Sequence, residues 1–194
     1  MLINTLVFVL ALALGSVPFS WLIGRFWYGL DLREVGDRNV GSGNLLDRAG
    51  FLPGTTALIL DLLKGVAAVA LALALSGDEW VVLTAGVFAV IGHVYPPWLG
   101  FVGGRGAASA IGVAWALFPL AGSAMLAVGL IVHTLTRNTV LGIATVVAGL
   151  AVLVLVTGGD LGRLFFVALL FIAVGLKDAW DRVHRRSEGL SRVA

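Results

Sequence analysis

Long apolar runs, broken by short clusters of glycine, proline and charge, organise this chain. They cover about 2–24, 54–76, 80–98, 107–133, 139–157 and 161–177. An α-helix rises about 1.5 Å per residue, so most of these runs can cross a hydrocarbon core about 30 Å thick. The run 107–133 is interrupted by Phe118-Pro119. Proline disrupts a helix interior unless its neighbours compensate, so this stretch is either one kinked span or two shorter ones. The first run begins with the uncharged Met1 to Asn4 and continues past Ala11-Leu12-Ala13 towards Ile23, which predicts a retained span in place of a cleaved leader.

Composition supports this pattern. Of 194 residues, 59% are hydrophobic and 12% charged, against about a quarter charged in soluble globules. The chain is therefore expected to be all-α: a polytopic membrane helix bundle forming one domain over 1–194. With no cysteine, disulfides and thiolate metal sites are excluded. No internal repeat is evident, which argues against a transporter built from inverted halves.

Cytoplasmic loops collect Lys and Arg. If 107–133 is two spans, one side receives Arg25, Arg33, Arg38, Arg48, Arg105, Arg137, Lys177, Arg182, Arg185, Arg186 and Arg192, eleven of the thirteen basic residues. Six spans would divide them between the two sides. The charge pattern thus predicts about seven spans, with the N-terminus outside and the C-terminus cytoplasmic. Trp80, Trp98 and Trp180 fall at predicted span ends, as interface anchors do.

Two polar stretches carry candidate chemistry. The loop from Arg25 to Leu52 is long and rich in Gly, Asn and Arg. Its glycines allow close backbone approach, Asn39, Ser42 and Asn44 offer neutral hydrogen bonds, and guanidinium forks match phosphate oxygens. A solvated connector touching anionic lipid headgroups is an equally weighted reading. The second stretch, Gly103-Gly104-Arg105-Gly106, leads directly into an apolar run, placing Arg105 where a helix N-terminus favours an anion. By itself it fits tight packing with a snorkelling arginine better than a phosphate site. Asp61 and Lys64 lie three apart on one helix face and predict a structural ion pair turned into the bundle. His93, just before a proline pair, is either a hydrogen-bonded structural residue or a base adjoining the Gly-Arg-Gly turn. Neither His133 nor His184 has a partner pattern, and no metal-ligand spacing is present.

Taken together, Gly15-Ser16-Val17-Pro18-Phe19, Asp31-Leu32-Arg33 followed by a Gly/Asn-rich loop, Asp61-x-x-Lys64-Gly65, Gly92-His93-x-x-Pro96 and Gly103-Gly104-Arg105-Gly106 resemble the acyl-phosphate-dependent glycerol-3-phosphate acyltransferases of the PlsY type. The resemblance covers Gly15 to about Gly112 and, weakly, the C-terminal third. It implies a seven-span bacterial inner-membrane enzyme with its motifs facing the cytoplasm. The implied reaction moves a fatty acyl group from acyl phosphate to the 1-hydroxyl of glycerol 3-phosphate, giving lysophosphatidic acid and phosphate. Substrates and membrane lipids are then the expected partners; no cofactor, metal or nucleic acid is implied.

Carried over residue by residue, the resemblance makes Arg105, His93 and Ser42 the candidate catalytic residues. Asn39, Gly41, Asn44, Arg48, Gly103, Gly104 and Gly106 become candidate phosphate-binding residues. Aligned from Asp31-Leu32-Arg33, the family's loop serine is Asp37, a glycine is Arg38 and an arginine is Asp47, next to Arg48. The lysine of its Gly-Gly-Lys-Gly turn is Arg105, and Lys177 and Trp180 stand near its C-terminal histidine and asparagine. A non-catalytic or differently specific relative that binds phospholipid or a partner remains an alternative, and a small transporter is a more distant one.

Overall fold

The computed structural model describes residues 1–136 and 138–191. Arg137 and Arg192, both used in the charge count, lie outside the described residues. Among the described residues the regular structure is helical, as expected: α1 (Leu2–Ser16), α2 (Phe19–Tyr28), α3 (Ser42–Ala49), α4 (Phe51–Leu75), α5 (Glu79–Val94), α6 (Ala107–Leu117), α7 (Pro119–Thr136), α8 (Thr139–Thr157) and α9 (Leu161–Ser191).

Among the described residues, five segments are long and apolar enough to cross a membrane: Leu2–Tyr28, Phe51–Leu75, Glu79–Leu99, Pro119–Thr136 and Val140–Thr157. The stretch 107–133 is divided at Phe118, as the proline suggested, into two helices. Of these, α6 has 11 residues, about 16 Å of helix, well short of a hydrocarbon core. The first run differs from expectation, being two helices broken at Val17-Pro18. Proline lacks the N–H that would continue the hydrogen-bond ladder. The last helix runs on past the apolar stretch through Lys177 and Asp178 to Ser191, so the change in polarity at 177 does not end it.

Small residues set the spacing of the bundle. A side chain at Gly15 or Gly92 would collide with backbone across the α1–α5 contact, and one at Gly65 or Gly112 would do so across α4–α6. Helices that lack a hydrophobic drive to associate gain from such close approach through dispersion. The main core gathers Val7, Val69, Val82, Val113, Leu150 and Val167 between the helices. A second, smaller cluster of Ile23, Leu32, Leu45 and Ala57 fastens the 25–52 loop onto α2 and α4. Trp80, Trp98 and Trp180 are 62%, 69% and 63% exposed, which suits the anchor reading.

Candidate active site

The loop organises itself before it meets anything else. Asp31 accepts hydrogen bonds from the Arg33 guanidinium at 2.9 and 2.6 Å, from the Arg33 amide at 3.0 Å and from Trp21 Nε1 at 3.2 Å. The guanidinium holds the Asp31 carboxyl well below the usual carboxylate range, its other hydrogen bonds adding to the effect against partial burial. Further along, Asn44 Nδ2 lies 3.0–3.1 Å from the carbonyls of Leu32, Val35 and Asn39. Asn44, expected to touch phosphate, is thus a clamp that closes the loop on itself. Arg38 holds φ at 56°, the left-handed region that suits glycine. The alignment from Asp31 places a family glycine at this position, and the backbone supports that register.

Ser42 opens α3, and among the described residues no hydrogen bond links its hydroxyl to Arg105 or His93. Arg48 is exposed, with Nε 2.8 Å from where a side chain on Gly36 would begin. Asn39 is 7% exposed, and its Oδ1 has no hydrogen-bond partner.

The Gly-Arg-Gly turn is fixed from below by α5. Gly103 N–H donates to the Val94 carbonyl at 3.1 Å and Gly104 N–H to the His93 carbonyl at 3.2 Å. Those two amides are therefore committed to the protein, which corrects the expectation that they would cradle an anion. The donors left to a ligand are the Arg105 side chain and the first amides of α6, which have no helical partner. A Cβ at Gly104 would run into the His93 ring and come within 2.9 Å of the Val40 carbonyl. Gly104 is thus the point where turn, loop and His93 meet. Gly104→Ala is expected to displace the turn and lower turnover by about tenfold or more, since misplacing a binding group by about 1 Å costs rate steeply; steady-state kinetics on a variant with unchanged thermal stability checks this.

Arg105 joins three elements. Nη2 lies 2.8 Å from Asp37 Oδ2 in the loop, and Nε lies 2.7 Å from Asp178 Oδ1 on α9. Asp178 also pairs with Arg182 at 2.8 Å, and Lys177 pairs with Asp181 at 2.6 Å. Asp37, which the resemblance aligns with the family's serine, is therefore paired with a cation of the glycine turn. Asp178 was missed by sequence reading. The signal available was the pair of i,i+4 matches, Lys177 with Asp181 and Asp178 with Arg182, which mark an ordered polar face on α9.

Beneath the turn sits a buried charge cluster. Lys64 Nζ is 2.9 Å from Asp61 Oδ1, and His93 Nδ1 is 3.6 Å from the same oxygen. Ser20 Oγ donates to Asp61 Oδ2 at 3.0 Å, and Ser109 Oγ donates to the Asp61 carbonyl at 3.1 Å. Lys64 also donates to the Val17 carbonyl at 3.0 Å, a backbone acceptor made available by the Val17-Pro18 break. The Asp61–Lys64 pair expected from spacing is present, and His93 and Ser20 extend it. Ser20 directly follows the quoted Gly15 to Phe19 motif and was overlooked because a lone serine in an apolar helix carries no periodic signal.

The chain matches the sequence profile of the glycerol-3-phosphate acyltransferases over residues 5–185. The chain belongs to that family. Relatives named glycerol-3-phosphate acyltransferase include one from Halalkalibacterium halodurans, 40% identical over 171 residues, covering 86% of this chain and 82% of the relative. Another, from Rubrobacter xylanophilus, is 40% identical over 154 residues and covers 78% and 77%. A third, from Synechococcus sp. (strain CC9902), is 36% identical over 160 residues and covers 82% and 80%. The fold is similar to the crystal structure of PlsY (YgiH), an integral membrane glycerol 3-phosphate acyltransferase, in its glycerol 3-phosphate form, with TM-score 0.78 and 30% identity, covering 98% of this chain and 91% of that one. The lysophosphatidic acid form gives a TM-score of 0.77 at 28% identity, with the same coverage. This acyltransferase family member is accordingly an all-α, multi-pass membrane protein.

Proposed function

We propose that the protein transfers a fatty acyl group from acyl phosphate to the 1-hydroxyl of glycerol 3-phosphate, releasing lysophosphatidic acid and phosphate. The observation that carries this reading is the position of Arg105, a cation held between the loop, the glycine turn and α9. A guanidinium has five N–H groups; Asp37 and Asp178 engage two of its nitrogens, and the remaining N–H groups are available to phosphate oxygens.

Acyl phosphate is a mixed anhydride, so its carbonyl carbon is already activated. The hydroxyl oxygen adds to that carbon, the bond to the phosphate oxygen breaks, and phosphate leaves with the electron pair and takes up the hydroxyl proton. No serine or cysteine nucleophile is needed; placing the hydroxyl and stabilising the developing charge suffice. Arg105 supplies positive charge, with Arg48 as a further cation on α3. The unpartnered Asn39 Oδ1 is the acceptor for a substrate hydroxyl, and Ser42 at the start of α3 is a second polar contact. His93 acts from below the turn, holding it through Gly104.

Purified protein given palmitoyl phosphate and glycerol 3-phosphate should release phosphate and form lysophosphatidic acid only when both are present. Folded protein with no turnover would defeat the reading and favour a relative that binds phospholipid without catalysis. We also place the protein in a bacterial inner membrane, crossing it seven times with the N-terminus outside and the active face cytoplasmic. The side given to Arg25, Arg33, Arg38, Arg48 and Arg105 supports this. A reporter fused after Ala194 should behave as cytoplasmic; an external signal would overturn both the span count and the orientation.

A further inference from the structure

Asp61 reaches both ends of the glycine turn. Its carboxylate lies 3.6 Å from His93 Nδ1 near the end of α5, and the His93 carbonyl holds the Gly104 amide at 3.2 Å, just before Arg105. Beyond Arg105, in the first turn of α6, Ser109 Oγ donates to the main-chain carbonyl of the same Asp61 at 3.1 Å. The close approach of α4 and α6 that permits this second contact depends on Gly65, where a side chain would collide with the Ser109 carbonyl. Ser20 Oγ on α2 holds the other carboxylate oxygen at 3.0 Å, so Oδ1 stays directed at Lys64 and His93.

For stability alone this cluster is a poor choice. Desolvation offsets most of what a buried ion pair gains, and well-packed apolar side chains of similar volume often serve as well or better. Asp61 and Lys64 are nonetheless buried, with Ser20, His93 and Ser109 arranged around Asp61. We propose that Asp61 is a positioning residue for the reaction: it fixes the Arg105 turn from both sides, and Ser20 keeps its carboxylate in register. The effect on rate rests on the acyl-transfer reading, whereas the effect on the turn can be measured without turnover.

Two variants of the full chain, purified in detergent, test this. Asp61→Leu with Lys64→Met removes both charges and should melt close to the unaltered protein. Its kcat should nonetheless fall about tenfold or more, as expected when a binding group is displaced by about 1 Å. Ser20→Ala keeps both charges and releases one carboxylate oxygen, and its kcat should fall severalfold. Hydrogen exchange read by mass spectrometry reports on the turn itself, because local opening exposes the Gly103 and Gly104 amides. Exchange there should be faster in both variants, by about tenfold in the double one, while exchange in α8, which lies outside the cluster, stays unchanged. Unaltered turnover or unaltered exchange at the turn would overturn the proposal, and so would an equal rise in α8, the mark of general loosening. Should the double variant fail to accumulate, Ser20→Ala decides by the same readouts. If the unaltered protein shows no turnover, the acyl-transfer reading fails, and exchange at the turn alone decides whether Asp61 holds it.

Discussion

Arg105→Ala is expected to reduce turnover at least a hundredfold while the protein still extracts and melts like the unaltered chain. A hundredfold loss corresponds to roughly 2.7 kcal/mol of transition-state stabilisation, in the range for removing one donor aimed at developing charge. The fold should survive because Arg105 lies at the edge of the bundle, its side chain 22% exposed, and partly exposed ion pairs contribute little to stability. Removing the cation also leaves Asp37 and Asp178 facing an incoming phosphate. The double variant Arg105→Ala, Asp37→Ser distinguishes the two effects: recovered turnover would assign the loss to carboxylate repulsion, and continued loss would assign it to the missing guanidinium. Arg105→Lys, restoring the family's residue, keeps the charge but not the fork and should cost about tenfold. Turnover of Arg105→Ala at the unaltered level would remove the phosphate-binding role altogether.

The largest stability effect is expected from Lys64→Met. Both side chains of the Asp61–Lys64 pair are 2% exposed, and removing one partner of such a pair leaves an uncompensated buried charge, costing about 3–5 kcal/mol. The Val17 carbonyl at the helix break also loses one of its two donors and keeps the Phe19 amide. The single variant should therefore melt well below the unaltered protein in the same detergent or fail to accumulate. Asp61→Leu combined with Lys64→Met removes both charges and should regain much of the loss. A single variant as stable as the unaltered chain would show that the pair is not structurally required.

Much of the architecture was legible because membrane spans write themselves as apolar runs. The 139–157 stretch matches α8 residue for residue, and Phe118-Pro119 marked the division between α6 and α7. The break at Val17-Pro18 was less visible, since proline's effect depends on what can satisfy the freed carbonyl, here the Phe19 amide together with a lysine 47 positions away. The continuation of α9 beyond Lys177 was likewise hidden. Its charged turns are sustained by i,i+4 pairs, where a hydropathy reading sees only the end of an apolar segment.

The site was legible as a set of residue types and less so as an arrangement. Order and spacing put Arg105, His93 and the loop asparagines in view, but not how each is used. The Asn44 amide is committed to its own loop, and the amides of Gly103 and Gly104 are bonded to the end of α5. Such commitments arise from contacts between elements distant in sequence. Arg38 is the informative exception: a residue in glycine's place still adopts glycine's backbone, showing that the surrounding loop, not the local residue, dictates the turn.

The three-residue spacing of Asp61 and Lys64 also bears on how the chain enters the bilayer. Because both charges lie on α4, each has its partner as soon as that helix forms, before α5 brings His93 and α6 brings Ser109. Insertion of α4 therefore does not have to wait for later segments to neutralise it. Residues that complete the cluster can arrive in chain order around a helix already electrically balanced.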